Sequence, residues 1–342
     1  MNPILQCFCN IEALVSYFKY NNYANIVSDK FNQVGIYCLT SSFKILFDNI
    51  WSNNLQGNFK PLEFIDKLNK MSNLLKSTSN NINIDINNFV YFIISTLHEE
   101  LNQYMENNNN INNISNNNKN SFNQELNKFY TNYKNNFNSI MSKLFYAIQM
   151  TETTCLRCNN TQYNFQTYFL LNFSLFESKK YAINKRQMQQ QCLISMNNNN
   201  NLNMNDINKK ILNLTNNIVD IFDCFDYFQK IETLSNDNGI FCNNCNQYSE
   251  ANYSTKLYNS PKILILLFDR ENNSQNIKIN FPLELNLNAY FLDKNNKHQY
   301  KLISVVSCVF NNMQNWFLIA HCLSPIDNKW YSYKDSTVNE VT

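Results

Sequence analysis

Two Cys-x-x-Cys pairs, Cys155/Cys158 and Cys242/Cys245, constrain this chain more than any other feature. Two such hooks supply the four thiolates of a tetrahedral zinc site. The first hook reads TTCLRCNN and the second IFCNNCNQ, each followed by polar, turn-forming residues. That pattern suits a pair of zinc knuckles at the tips of two β-hairpins. The 83 residues between the hooks mean that a shared metal joins distant segments rather than closing a small finger. The competing reading is two unrelated thiol pairs. A thioredoxin-type redox site needs only one pair beside a βαβ pattern, and the sequence shows no such pattern.

A chain of 342 residues can bury a large core, as one large domain or two. Hydrophobic residues at 44% and aromatics at 14% indicate a globular protein. Asparagine is concentrated in runs, which cannot bury apolar area and read as disordered insertions. With only three glycines, Gly35, Gly57 and Gly239, a Gly-rich phosphate loop is excluded. A net charge of +2 gives no electrostatic footprint for nucleic acid. The longest apolar run, FVYFIISTL at 89–97, is half a membrane span, so no membrane association is expected. The opening MNPILQCFCN has no basic segment or cleavage site and does not read as a signal peptide. Eleven cysteines without a secretion signal fit a reducing, cytoplasmic or nuclear setting, as core residues or metal ligands.

Residues 1–20 place Ile4, Leu5, Phe8, Ile11 and Leu14 at helical spacing. Residues 36–75 also look helical, with Pro61 at the start of one helix. Residues 85–104 form the clearest amphipathic helix, with Asp85 as its N-cap. An Asn run at 106–120 reads as a flexible insertion, and a second Asn-rich insertion covers 178–217. From 139 onward the chain turns to short β-like runs: 163–175, 251–259, 262–270, 277–285, 300–310 and 315–323. Helices first and strands later predict an α+β fold.

Eight blocks in order carry a resemblance to a known family. They are MNPILQCFCNIEAL, DINNFVYFIISTLHEELN, SIMSKLFYAIQMTETTCLRC, DCFDYFQKIETLSNDNGIFCNNC, SPKILILLFDR, INFPLELNL, YKLISVVS and SPIDNKWYSYKDSTV. Together the chain resembles the ubiquitin-specific proteases, the papain-like cysteine deubiquitinases, over almost its whole length. The resemblance implies a single domain shaped as a hand. Residues 1–140 would form the helical thumb, and 141–342 a β-rich palm and zinc-bearing fingers. It also implies a structural zinc ion on Cys155, Cys158, Cys242 and Cys245, ubiquitin as partner, and a monomer.

A cysteine protease needs a thiolate, a base that takes its proton and a group orienting that base. By the resemblance, the nucleophile falls two residues before Met1, so the chain is expected to start just after it. The oxyanion-hole donors precede that point as well. The family's His box, roughly GH[YF]-x-AYC, aligns with WFLIAHCL at 316–323. Phe317 then stands at the catalytic His and Trp316 at the glycine. The third triad position falls on Lys334, with Asp335 next to it. Neither Phe317 nor Lys334 can do the work of the residue it replaces. Asp85 sits at the Asp of the family's QQD motif, near the incoming ubiquitin tail, but the two Gln positions are Asn83 and Ile84. N-cap and ubiquitin contact are both open for Asp85.

Stand-ins are poor. Cys7 lies eight residues beyond the nucleophile position, roughly 12 Å along a helix, and with Cys9 reads as a core cysteine. His321 is four residues from the proper position, roughly 13 Å along a strand. His98 reads as a helix-surface or packing residue and His298 as a loop histidine. Three functions follow: an inactive ubiquitin-binding or scaffolding pseudoenzyme; an active deubiquitinase with its Cys box missing from this sequence; or a decayed duplicate.

Overall fold

The helical periodicity of the first twenty residues becomes two short helices, α1 (Asn2–Cys9) and α2 (Glu12–Lys19). The break falls at Ile11, whose backbone is extended at φ −81° and ψ 108°. The computed structural model describes residues 2–20, 26–27, 38–52, 59–71, 86–103, 122–195, 201–235, 238–270, 276–310 and 316–341. Asp85 and the Asn run 106–120 lie outside the described residues. The chain divides into two compact units. One comprises Met1–Asn108, Tyr133–Leu144 and Lys301–Thr342, and the other Asn109–Asn132 and Phe145–Tyr300.

In the first unit, α3 (Leu39–Ile50), α4 (Leu62–Met71) and α5 (Ile86–Leu101) follow the two short helices. Pro61 stands immediately before α4, where its missing N–H costs no helical bond; its carbonyl accepts from Ile65 N–H at 3.0 Å. The core here is aromatic. Phe18 lies 5.7 Å from Phe43 and 5.0 Å from Phe47, and Phe43 lies 5.8 Å from Phe64. The start of α3 is capped from another helix: the Glu100 carboxylate accepts from Leu39 N–H and Thr40 N–H, each at 2.7 Å. That satisfies donors that have no partner within the helix. A short helix α7 (Ile140–Phe145), in a stretch expected to begin the β region, follows α6 (Phe122–Asn136). Ser139 and Ser142 cap α7 reciprocally, N–H to Oγ at 2.9 and 3.0 Å. His98 is buried against this cap, Nδ1 to Ser139 Oγ at 2.7 Å, which makes it a packing residue. The C-terminal sheet is an antiparallel meander of β13 (Ser304–Phe310), β14 (Trp316–Leu323), β15 (Trp330–Lys334) and β16 (Thr337–Val341).

In the second unit a four-stranded sheet runs β2-β1-β8-β5, from β1 (Ala147–Cys155), β2 (Thr161–Tyr168), β5 (Glu232–Leu234) and β8 (Ala251–Leu257). Leu126 packs on it with Ile148, Met150 and Phe165. A parallel pair, β3 (Leu171–Ser174) with β9 (Leu266–Asp269), carries the largest core. Phe173 at its centre is 1% exposed and lies 5.1 Å from Phe225 and 6.0 Å from Phe268.

One expectation fails in this unit. The stretch 178–217, expected as a disordered insertion, is two helices, α8 (Leu175–Ser195) and α9 (Asn201–Thr215). Leu175, Ser178 and Ala182 bury one side of α8, and Leu214 anchors the end of α9. Arg186 of α8 pairs with the buried Asp223, and Lys185 with Asp226 at 2.9 Å. Asp223 belongs to α10 (Ile221–Phe228), opened by an Asp220 capping box. His298 lies in the loop before Gln299, as expected, yet is 1% exposed and stacks on Phe291 at 4.4 Å. Its Nε2 lies 2.6 Å from the Asp293 carbonyl and its Nδ1 2.7 Å from Ser260 Oγ. A carbonyl only accepts, so Nε2 carries the proton and the Ser260 hydroxyl donates to Nδ1. Among the described residues, no helix is long and apolar enough to cross a membrane.

Candidate functional site

The four hook cysteines meet within the second unit. β1 ends at Cys155, and a turn through Cys158 leads into β2; Cys155 N–H donates to Asn160 O and Asn159 N–H to Cys155 O. The second hook joins β6 (Ile240–Cys242) to β7 (Gln247–Ser249), with Asn246 N–H donating to Cys242 O at 2.8 Å. In each hook the residue after the second Cys is an Asn at positive φ, Asn159 at 56° and Asn246 at 54°. Leu156 N–H reaches Glu250 O at 2.9 Å and Cys155 pairs with Ala251 on β8, which brings the hooks together.

The sulfurs lie within 4.8 Å of one another, with Cys155–Cys245 at 3.9 Å and Cys158–Cys242 at 3.7 Å. A tetrahedral ion with Zn–S bonds of about 2.3 Å requires sulfurs about 3.8 Å apart. Both of these distances match that spacing, so the cluster fits zinc. Hydrogen bonds prepare it: the Cys158 N–H draws the Cys155 thiol down to about 6, and the Asn244 side chain lowers Cys158. Crowding by the Cys158 sulfur pushes Cys245 up to about 12, so the metal must displace its proton. Four thiolates close the coordination shell, which makes this centre structural.

The residues that the resemblance sets at the triad positions lie in the first unit. Phe317 sits on β14 opposite Val309 and is half-buried; Lys334 ends β15 opposite Thr337 and is exposed. The Lys334 ammonium stands over the Phe317 ring at 4.3 Å from its centroid. Asp335 follows in a tight turn at φ 48°, and its carbonyl accepts from the Asn2 side chain at 3.1 Å. The start of α1 is thus tied to the turn at the third triad position. Strand alternation puts Phe317, Ile319 and His321 on one face of β14, and Ala320 with Cys322, both fully buried, on the other. His321 pairs with Val305 and Ser332, four residues along the strand from Phe317. Cys322 meets Cys7 of α1 at 3.9 Å between sulfurs. Burial pushes the Cys9 thiol up, and the Cys322 contact with burial raises Cys7. Cys9 and Cys322 are fully buried, and Cys7, expected as a core cysteine, is half-buried. Sequence reasoning missed the Phe317–Lys334 and Asn2–Asp335 contacts.

A four-cysteine cluster on an α+β fold is what the resemblance to the ubiquitin-specific proteases implies. The whole chain, residues 1–342, matches the family described as Ubiquitin carboxyl-terminal hydrolase, and the chain belongs to that family. It is 22% identical over 353 residues to Ubiquitin carboxyl-terminal hydrolase 2 of Bos taurus, covering all of this chain and 50% of the relative. It is 29% identical over 130 residues to Ubiquitin carboxyl-terminal hydrolase 10 of Arabidopsis thaliana, covering 36% of this chain and 14% of the relative. Among solved structures, the SAGA DUB module Ubp8/Sgf11/Sus1/Sgf73 bound to monoubiquitin matches with a TM-score of 0.63 at 17% identity. That match covers 100% of this chain and 62% of the other. The chain thus spans half or less of the length of these two curated relatives.

Proposed function

We propose that this chain is a ubiquitin-binding member of its family that does not hydrolyse ubiquitin conjugates. The observation that carries the reading is the Phe317–Lys334 pair, ammonium to ring centroid at 4.3 Å. By family resemblance these two residues stand where a base and its orienting group belong. A phenyl ring accepts no proton from a thiol, and an ammonium is a donor only. A general base must lie within about 3.2 Å of the proton it takes, and neither residue can serve. The nearby thiols do not compensate, because Cys7 and Cys9 are shifted up, away from the thiolate a nucleophile requires.

Ubiquitin is the proposed partner, with Asp85 near its tail and the chain acting as a monomer. Purified zinc-loaded protein should not release the fluorophore from a ubiquitin C-terminal amide, and should retain mono- or polyubiquitin in a titration. Turnover that disappears when a cysteine of this chain is replaced would overturn the reading. Absence of any ubiquitin binding would leave a decayed duplicate instead.

A second reading, an active deubiquitinase with its Cys box before residue 1, draws on one observation: the curated relatives are longer than the matched region. It requires a base other than Phe317, and hydrolysis by a longer chain in the same assay would support it.

A further inference from the structure

Cys7 and Cys322 are 315 residues apart in sequence, yet their sulfurs stand 3.9 Å apart where α1 packs on β14. We propose that they form an oxidative modification site, in which a peroxide converts the two thiols to a disulfide joining α1 to β14. A disulfide S–S bond is about 2.05 Å, so each sulfur has to move by about 1 Å. Cys9 is not the alternative partner for Cys7, because residues two apart on a helix point about 200° away from each other. Access and reactivity are divided between the two thiols. Cys7 is partly exposed, while Cys322 is buried on the inner face of the sheet. Their contact draws Cys322 down and pushes Cys7 up, and the Ser304 hydroxyl lowers both.

The chemistry balances with a peroxide as the two-electron oxidant. The Cys322 sulfur, drawn toward the thiolate by the Cys7 contact, attacks the peroxide O–O bond; an S–O bond forms, the O–O bond breaks, and the leaving hydroxide takes the Cys322 proton as water. The Cys7 sulfur then attacks the Cys322 sulfenic acid. The S–S bond forms, the S–O bond breaks, and the departing hydroxide leaves as water with the Cys7 proton. Two thiols and one hydrogen peroxide give one disulfide and two waters.

The test treats the zinc-loaded chain with hydrogen peroxide, quenches with catalase, alkylates the remaining thiols in denaturant and maps non-reduced peptides by mass spectrometry. The expected result is a cross-linked Cys7–Cys322 peptide pair, two hydrogens lighter than the free peptides. The thermal midpoint should rise by several degrees and return on adding dithiothreitol. Cys322→Ser removes both signals. Cys7→Ser, at a partly exposed position that tolerates the change, does the same in a chain that still folds. Recovery of Cys7 as sulfinic acid with Cys322 alkylated, or of Cys7 linked to another cysteine, overturns the proposal.

Discussion

The Lys334 ammonium lies 4.3 Å from the centre of the Phe317 ring. The two residues thus touch at the positions where, on the function proposed above, an imidazole and its orienting acceptor are replaced. A cation over an aromatic face contributes about 0.5–1 kcal/mol at an exposed site. A double-mutant cycle with Phe317→Leu and Lys334→Met should therefore return a coupling of about 0.5–1 kcal/mol in chemical denaturation. A coupling indistinguishable from zero would mean that the contact carries no energy. Phe317→His alone should leave the fluorogenic amide uncleaved, because it supplies a base without a thiolate.

Zinc content follows from the sulfur spacing. The purified chain should carry one zinc per molecule by elemental analysis, and Cys158→Ser should abolish it. Removing the metal with a chelator should lower the thermal midpoint, because the ion holds two hairpins together through residues about ninety positions apart. A midpoint unchanged by chelation would show that the hooks close without metal.

Arg186 and Asp223 form an ion pair with side chains only 11% and 5% exposed. Arg186→Leu leaves a buried carboxylate unpaired and should cost about 3–5 kcal/mol. Burial already raises the Asp223 carboxyl above its ordinary 3.8, with the Arg186 guanidinium opposing the shift. A folded-state value above the unfolded one means that the folded state binds the proton more tightly. The stabilisation from this group is therefore fully present below 3.8 and is lost as pH rises through the folded value. In Arg186→Leu that loss should deepen, so urea midpoints of variant and parent should diverge as pH rises above 3.8.

Asp327 behaves in the opposite sense. The Tyr331 hydroxyl donates to its carboxylate at 2.7 Å and holds its pKa below the ordinary carboxylate value. Its contribution is present above 3.8 and is lost as pH falls through the folded value. Tyr331→Phe should move the Asp327 titration midpoint upward, read from its side-chain carbon shift by NMR. An unmoved midpoint would assign the shift to the remaining donors instead.

The zinc centre was legible because a Cys-x-x-Cys hook is a local pattern with one dominant chemistry. Most strands were legible for the same reason, as short apolar runs bounded by polar turns. Helices α8 and α9 were not. Their sequence is rich in Asn and Gln with apolar residues scattered on several sides, and what holds α8 is its buried Leu175 and Ala182 and a pair of ions from α10. His298 lies in the loop that its charged and polar neighbours predict; its burial, which they do not predict, depends on Phe291 and on Ser260, 38 residues away. The Phe317–Lys334 contact needs the register of β14 and β15, which no single segment specifies. The α+β fold class followed from the order of helices and strands and from the ordered resemblance, and the family match across residues 1–342 and the structural match bear it out.

The left-handed positions Asn159, Asn217, Asn246 and Asn328 carry a wider meaning. Such conformations usually call for glycine, and this chain has three glycines in all. Asparagine tolerates the same backbone region because its short amide bonds locally to the chain. The compositional drift toward asparagine has thus been absorbed at corners as well as in spacer runs. A chain this poor in glycine still turns because short side chains that bond locally to the backbone take the left-handed conformation, Asn at four of the described corners and Asp335 at a fifth.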